Sequence, residues 1–223
     1  MGRAKIPRKS TSIDMTAMCD VAFLLLSFFI LATKQKPPEA VAVNAPTSVS
    51  SKAAPEKSIL ITLTKEGKCF VILGDETKKS EVLNDINTTK GLGLSPEELK
   101  KLAKMPYIGV PLGQLKSLLA LEAMPSADQL AGIPIQDSTN NEMVDWIRSI
   151  TNAYAGTNQR ELEEKILIKG DNLAKYPAFK NIKYALKKNE ILKFRLVTNS
   201  ETVPMGSELY NKNKAALHGG GEK

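Results

Sequence analysis

One stretch limits what this chain can fold into more than any other: Ser10–Thr33, STSIDMTAMCDVAFLLLSFFILAT. Its second half, Val21–Ala32, holds twelve residues of which only Ser27 is polar. Twelve is too few to cross a bilayer, which takes about 20 predominantly apolar residues. Counting back to Met15 lengthens the segment to Thr33 and gives roughly 28 Å of helix at about 1.5 Å per residue. That length spans, but it brings Asp20 into the membrane. An aspartate inside a spanning helix costs about 2.5–3.5 kcal/mol on insertion scales. Thr16 lies four residues before it and Ser27 seven after, so the three share one stripe of a helix. A single helix cannot bury such a stripe; it needs a partner helix or a water-filled passage. An ionisable residue so placed points by default to a proton or ion path. The alternative is a carboxylate near the helix start that snorkels back to the headgroups.

The residues around Asp20 carry a resemblance. Ile13-Asp14-Met15-Thr16, then Cys19-Asp20-Val21, then the Leu/Phe run, resembles the N-terminal signature of the ExbD/TolR family, roughly I-D-M-T-P-L-V-D-V. These are biopolymer-transport proteins of Gram-negative inner membranes. The chain departs from the pattern at Ala17, where the family has Pro, and at Met18 and Cys19. The resemblance implies a helix dimer inside a ring of an ExbB/TolQ-like polytopic protein, passing energy to a TonB/TolA-like transducer. It makes Asp20 the proton carrier, with Thr16 and Ser27 as polar neighbours on its face.

Charge orients the segment. Arg3, Lys5, Arg8 and Lys9 precede it without an acid, whereas Lys34 and Lys36 follow it. The heavier positive side predicts a cytoplasmic N-terminus, with the domain beyond the helix on the periplasmic side. A cleaved signal peptide is the rival reading. Bulky Ile30 two residues before Ala32, and Asp20 at the entry to the apolar core, oppose it. The chain's net charge of +7 could suggest nucleic acid, but its lysines are dispersed and a membrane segment precedes the rest, so a solvated basic surface is expected. Cys19 and Cys69, one in the apolar helix and one beyond it, form no disulfide framework or metal spacing, and His218 is the single histidine. No nucleophile–base pair, phosphate loop or metal cluster is visible, so no enzyme and no cofactor are expected.

The remaining chain of about 190 residues is long enough for one or two compact domains. Residues 1–14 read as a cytoplasmic tail, 15–33 as the transmembrane helix and 34–57, with prolines at 37, 38, 46 and 55, as an extended linker. Within the linker Val41–Pro46 resembles the family's V-x-L-P-type segment, which makes Val43, Asn44 and Pro46 partner-contact candidates. A Pro-rich spacer is the alternative. Residues 58–199 read as an α+β domain: a small β-sheet packed by helices on one face, with an insertion over about 75–160.

In that domain Ser58–Gly74 predicts a hairpin turning at Lys65–Lys68, with Cys69 in the core. Ser95-Pro96-Glu97-Glu98 is a capping box that opens a helix to about Lys104. The leucines of Pro111–Met124 predict a second helix. A third, over Asn140–Ala155, shows Met143, Ile147, Ile150 and Tyr154 on one face, with Trp146 beside it as a packing residue. Glu164–Lys169 and Ile191–Thr198 predict strands around a helix over Tyr176–Lys188, with Asn189 as its left-handed terminator. Asp171 reads as a turn aspartate bonded to backbone. Residues 200–223 read as a polar, flexible tail. A sheet this small leaves edge strands, which predicts a homodimer, as the family resemblance also implies.

Two functions of different class follow. One is a proton-driven energy-transducing subunit that powers transport across the outer membrane. The other is a membrane-anchored periplasmic structural or binding module with a role in envelope integrity, in which Asp20 is merely tolerated.

Overall fold

A computed structural model describes residues 15–32, 41–50, 54–121, 124–136, 139–208 and 210–211. The basic N-terminus, the first part of the linker and the glycine-rich end of the tail lie outside them. The chain divides into two compact units, Met1–Pro37 and Pro38–Lys223. In the first, α1 runs Met15–Ala32 and buries none of its residues. Its 18 residues are about 27 Å long, long and apolar enough to cross a membrane.

The second unit is α+β. Its sheet is built from β2 (Ile59–Leu63), β3 (Cys69–Leu73), β4 (Ile166–Gly170) and β5 (Arg195–Leu196), in the order β3-β2-β4-β5. β2 and β3 form the expected antiparallel hairpin, with Gly67 at φ +83° in its turn. β2 and β4 pair in parallel, Ile61 opposite Ile168. A parallel pair covered on both faces needs continuous apolar runs rather than alternation, and ILITL and ILIKG supply them. A second, two-stranded parallel sheet joins β1 (Thr47–Ser48) to β6 (Asn199–Ser200).

The long connection from β3 to β4 is better ordered than its Gly and Pro content suggests. It opens with α2 (Glu76–Lys90), a helix absent from the sequence expectations. The Asp75 Oδ1 accepts the Thr77 and Lys78 N–H groups at the helix start, and Gly91 at φ +59° ends it. Against a desolvation cost, those N–H groups and Lys57 hold the Asp75 carboxyl below its ordinary range. The buried stripe of α2 is Lys79, Val82, Leu83 and Ile86; Lys79 Nζ donates to the Met105 carbonyl. Next comes α3 (Pro96–Lys104), whose capping box is complete: Ser95 Oγ accepts the Glu98 N–H, and Glu98 Oε2 the Ser95 N–H at 2.7 Å.

The helix expected over Pro111–Met124 is shorter. A 3₁₀ turn at Leu112–Gln114 precedes α4 (Leu115–Leu119). Gly113 weakens helical propensity there, yet Leu112, Leu115, Leu118 and Leu119 of the leucine stripe are buried, whereas Leu121, past the end of α4, is exposed. α5 (Met143–Ala153) buries Met143, Trp146, Ile147 and Ile150 and packs on α2.

The insertion also closes one side of the sheet. Val71 of β3 exchanges both N–H···O bonds with Ile108 at 2.9 Å, and the Ile133 N–H donates to the Cys69 carbonyl at 2.8 Å. The β3 edge is therefore covered by the chain itself. Cys69 is fully buried beneath it, and that burial pushes its thiol pKa far up, out of the reactive range.

Three boundaries shift from their expected places. The strand expected from Glu164 starts at Ile166, because α6 (Gln159–Lys165) occupies the preceding residues. Asn158 caps α6, and Glu161 pairs with Lys165 one turn on at 2.7 Å. α7 (Tyr176–Lys188) stands where expected, with Ile182 and Leu186 buried, but Asn189 is not left-handed. Its φ is −104°; Glu190, at +63°, makes the turn, while Asn189 Nδ2 donates to the Val144 and Ala185 carbonyls. The last strand shortens to Arg195–Leu196, because the Leu192 and Lys193 N–H groups donate to Glu163 Oε1 instead of to a neighbouring strand.

Candidate functional site

The first candidate site is the polar stripe of α1. At 100° per residue, Thr16, Asp20 and Ser27 fall within an arc of about 40°. Asp20 is exposed, as is every side chain of this helix apart from the half-buried Ser27. Ser27 Oγ donates to the Phe23 carbonyl one turn back at 2.8 Å. Its proton is thus held within the helix, leaving oxygen lone pairs on the stripe. Thr16 stands one turn before Asp20. The flanking residues Phe23, Leu24, Phe28 and Ile30 are more than half exposed, a surface suited to lipid or an apolar partner helix. The stripe therefore offers one carboxyl group set between two hydroxyls on an apolar cylinder.

The second is the segment that leads into the domain. Residues 41–48 of the linker run along the fold, with a tight turn at Asn44 where the Ala45 N–H donates to the Val43 carbonyl at 3.1 Å. Val41 and Val43 are half-buried and Ala45 is buried, alternating with exposed Ala42, Asn44 and Pro46, the period-2 pattern of a strand with one face inward. Backbone groups lock it. The Asn172 N–H donates to the Asn44 carbonyl at 2.8 Å, and the Asn199 N–H to the Pro46 carbonyl at 2.9 Å. Side chains add to them: the Asn44 N–H donates to Asp171 Oδ2 at 3.2 Å, and Asn199 Nδ2 to the Ala45 carbonyl at 3.0 Å.

Asp171 is indeed a turn aspartate, its Oδ1 accepting the Leu173 N–H at 2.9 Å. Its other oxygen clasps the linker. Of the three partner-contact candidates, Asn44 and Pro46 are thus hydrogen-bonded through their backbone by the chain's own domain, and Val43 is half-buried. Asp171, Asn172 and Asn199 hold them, a role that the sequence signals only through the turn-forming Asp-Asn pair at 171–172.

An open cleft of about 690 Å³ lies beside this segment, lined by residues including Val43, Asn44, Glu66, Asp128 and Asp171. Among the described residues no group of three or more His, Cys, Asp or Glu side chains could hold a metal.

A family model described as biopolymer transport protein ExbD/TolR matches residues 7–201. The chain belongs to the ExbD/TolR family. That match covers the polar stripe, the docked linker and the whole domain through β6. A curated relative is the biopolymer transport protein exbD2 of Vibrio cholerae, 27% identical over 71 residues. The alignment covers 32% of this chain and 53% of the relative, so the chain spans about half the length of the curated relative it matches. No solved structure matches.

Proposed function

We propose that this ExbD/TolR-family chain is the proton-responsive subunit of an inner-membrane stator complex that powers transport across the outer membrane. The observation that carries the reading is Asp20, a carboxyl on a membrane-length helix that packs none of its own side chains. A carboxyl group so placed takes up a proton where water reaches it and gives it up where a second aqueous path or a cation receives it. Moving one charge through the full membrane field is worth about 2.3 kcal/mol per 100 mV. If the protonated and ionised stripes fit their surroundings differently, that energy turns or shifts the helix.

In this reading α1 inserts beside a second copy within an ExbB/TolQ-like ring. The N-terminus is cytoplasmic, the α+β domain is periplasmic, and a TonB/TolA-like protein receives the work. The chain has no catalytic chemistry of its own. The β3 edge is occupied, so pairing between copies through the four-stranded sheet would use its β5 edge.

The test is complementation of cells lacking the chain in a proton-motive-force-dependent uptake assay, with wild type, Asp20→Asn and Asp20→Glu at matched membrane levels. Loss of function with Asn while the protein still inserts, and partial recovery with Glu, supports the reading. Wild-type behaviour of the Asn variant leaves the second function: an anchored periplasmic module that holds the envelope together without proton conduction.

A further inference from the structure

Away from the linker cleft, the domain carries an open groove of about 530 Å³ between α2 and α3. Buried Leu83 and half-buried Leu99 and Ala103 form its floor. Exposed Ser80 and Asn84 stand along the α2 side, and exposed Lys100 and Lys104 along the α3 side. Each pair is spaced i, i+4, one turn along one helix face. Among the described residues no hydrogen bond or ion pair engages either ammonium group. The one acid in the lining, Glu76, opens α2, and its charge lies against buried Lys79.

The walls are fixed before anything binds. Ahead of the capping box of α3, Asn87 Oδ1 accepts the Leu94 N–H at 3.0 Å and Asn87 Nδ2 donates to the Leu94 carbonyl at 3.2 Å. At the other end of α3, Lys79 Nζ donates to the Met105 carbonyl from a side chain only 6% exposed. Burial pushes that lysine's pKa down, because a low-dielectric setting disfavours its charged form. An apolar side chain would fill the stripe of α2 at less cost but could not tie down a carbonyl. Both ends of α3 are thus fastened to α2, and binding in the groove costs no ordering of its walls.

From Glu76 to Asn84 the groove follows about 12 Å of α2, a little over two turns. That length accepts the anchors of one amphipathic helix at i, i+3 or i+4, and i+7. An apolar floor with cations along one side calls for an apolar stripe with carboxylates on one flank. The chain's own remaining segments have the wrong sign: residues 1–14, 33–40 and 212–223 are each basic on balance. The acidic α6 of a second copy is no better, because its acids are used within the domain. Glu161 pairs with Lys165, Glu163 accepts the Leu192 and Lys193 N–H groups, and Glu164 pairs with Arg195. We infer that the α2/α3 groove docks an acidic amphipathic helix of another protein, its apolar stripe on Leu83, Leu99 and Ala103 and its carboxylates along Lys100 and Lys104. The inference does not depend on Asp20 carrying a proton.

The test uses the full chain in phosphatidylcholine nanodiscs and fluorescein-labelled helical peptides, read by fluorescence anisotropy. One peptide carries leucines at i, i+4 and i+7 with glutamates on one flank. A second has lysines in place of the glutamates, and a third is a scramble of the first. We expect the acidic peptide to bind saturably and about tenfold more tightly than either of the others, since charge pairing and the apolar stripe both count. In Lys100→Glu/Lys104→Glu the preference should reverse toward the lysine peptide, a switch that loss of folding cannot produce. Lys180→Glu/Lys187→Glu, which makes the same charge change at exposed positions of α7, should keep the wild-type order. Absence of saturable binding by the acidic peptide overturns the inference. So does equal binding of the scramble, which would mark a general attraction of anions to a basic protein. A preference that survives the α3 substitutions, or that the α7 substitutions reverse equally, overturns it too.

Discussion

Asp171 and Asn44 stand 127 residues apart in sequence, yet the carboxylate of one accepts the backbone N–H of the other at 3.2 Å. The Asn44 carbonyl in turn receives the Asn172 N–H at 2.8 Å. One turn after β4 thereby fixes the point at which the linker joins the domain. Asp171→Ala removes the acceptors of both the Asn44 and Leu173 N–H groups. The expected cost is about 1–3 kcal/mol, and amide exchange should speed up at Asn44 and Leu173 while that of β2 is unchanged. Exchange rates equal to wild type at Asn44 would show that the carboxylate does not hold the linker.

Gly109 is where the insertion meets the sheet. A Cβ placed there would lie 2.0 Å from the ring of Phe70, which is fully buried. The ring is locked in the core against Tyr107, 6.1 Å away edge-on, and cannot step aside. Gly109→Ala should destabilise the domain by about 1–3 kcal/mol, the range for overpacking a filled core. Denaturant unfolding of the purified chain checks it, with the exposed Gly113→Ala as the comparison expected to be neutral or slightly stabilising.

Glu142 gives the domain a pH dependence of known sign. Burial first, and then the neighbouring Asp145, raise its pKa above the ordinary 4.5, against the opposing pull of the Leu112 N–H and Lys90. A carboxyl raised in the folded state contributes stability below its unfolded pKa, and that contribution is lost as pH rises through the folded value. Glu142→Gln keeps an acceptor for the Leu112 N–H, now 2.7 Å from Oε2, and removes the charge. The variant should match or exceed wild-type stability at neutral pH and lose part of the stability change between pH 4 and 7. A variant less stable at neutral pH, with the same pH profile, would contradict this.

Legibility followed how local each determinant is. The hairpin over residues 58–74, the capping box at Ser95 and the apolar faces of α5 and α7 are written in neighbouring residues, and the structure repeats them. The place of Asp20 on an apolar helix was legible for the same reason, since hydropathy alone marks out that helix. α2 was not, because Lys79 takes one position of its buried stripe and only Val82, Leu83 and Ile86 remain to mark it. The short β5 was not, because its missing bonds are taken by Glu163, some 30 residues away. The docked linker was not, because its partners Asp171 and Asn199 lie 127 and 154 residues beyond the atoms they hold.

The proposed function rests on Asp20 carrying a proton. The most direct measurement is proton flux into vesicles holding the chain and its polytopic membrane partner under an imposed potential, comparing wild type with Asp20→Asn at equal complex content. A potential-driven flux is expected in wild type, falling to the level of partner-only vesicles in the Asn variant and returning at least in part with Asp20→Glu. Equal flux in wild type and Asp20→Asn would contradict it.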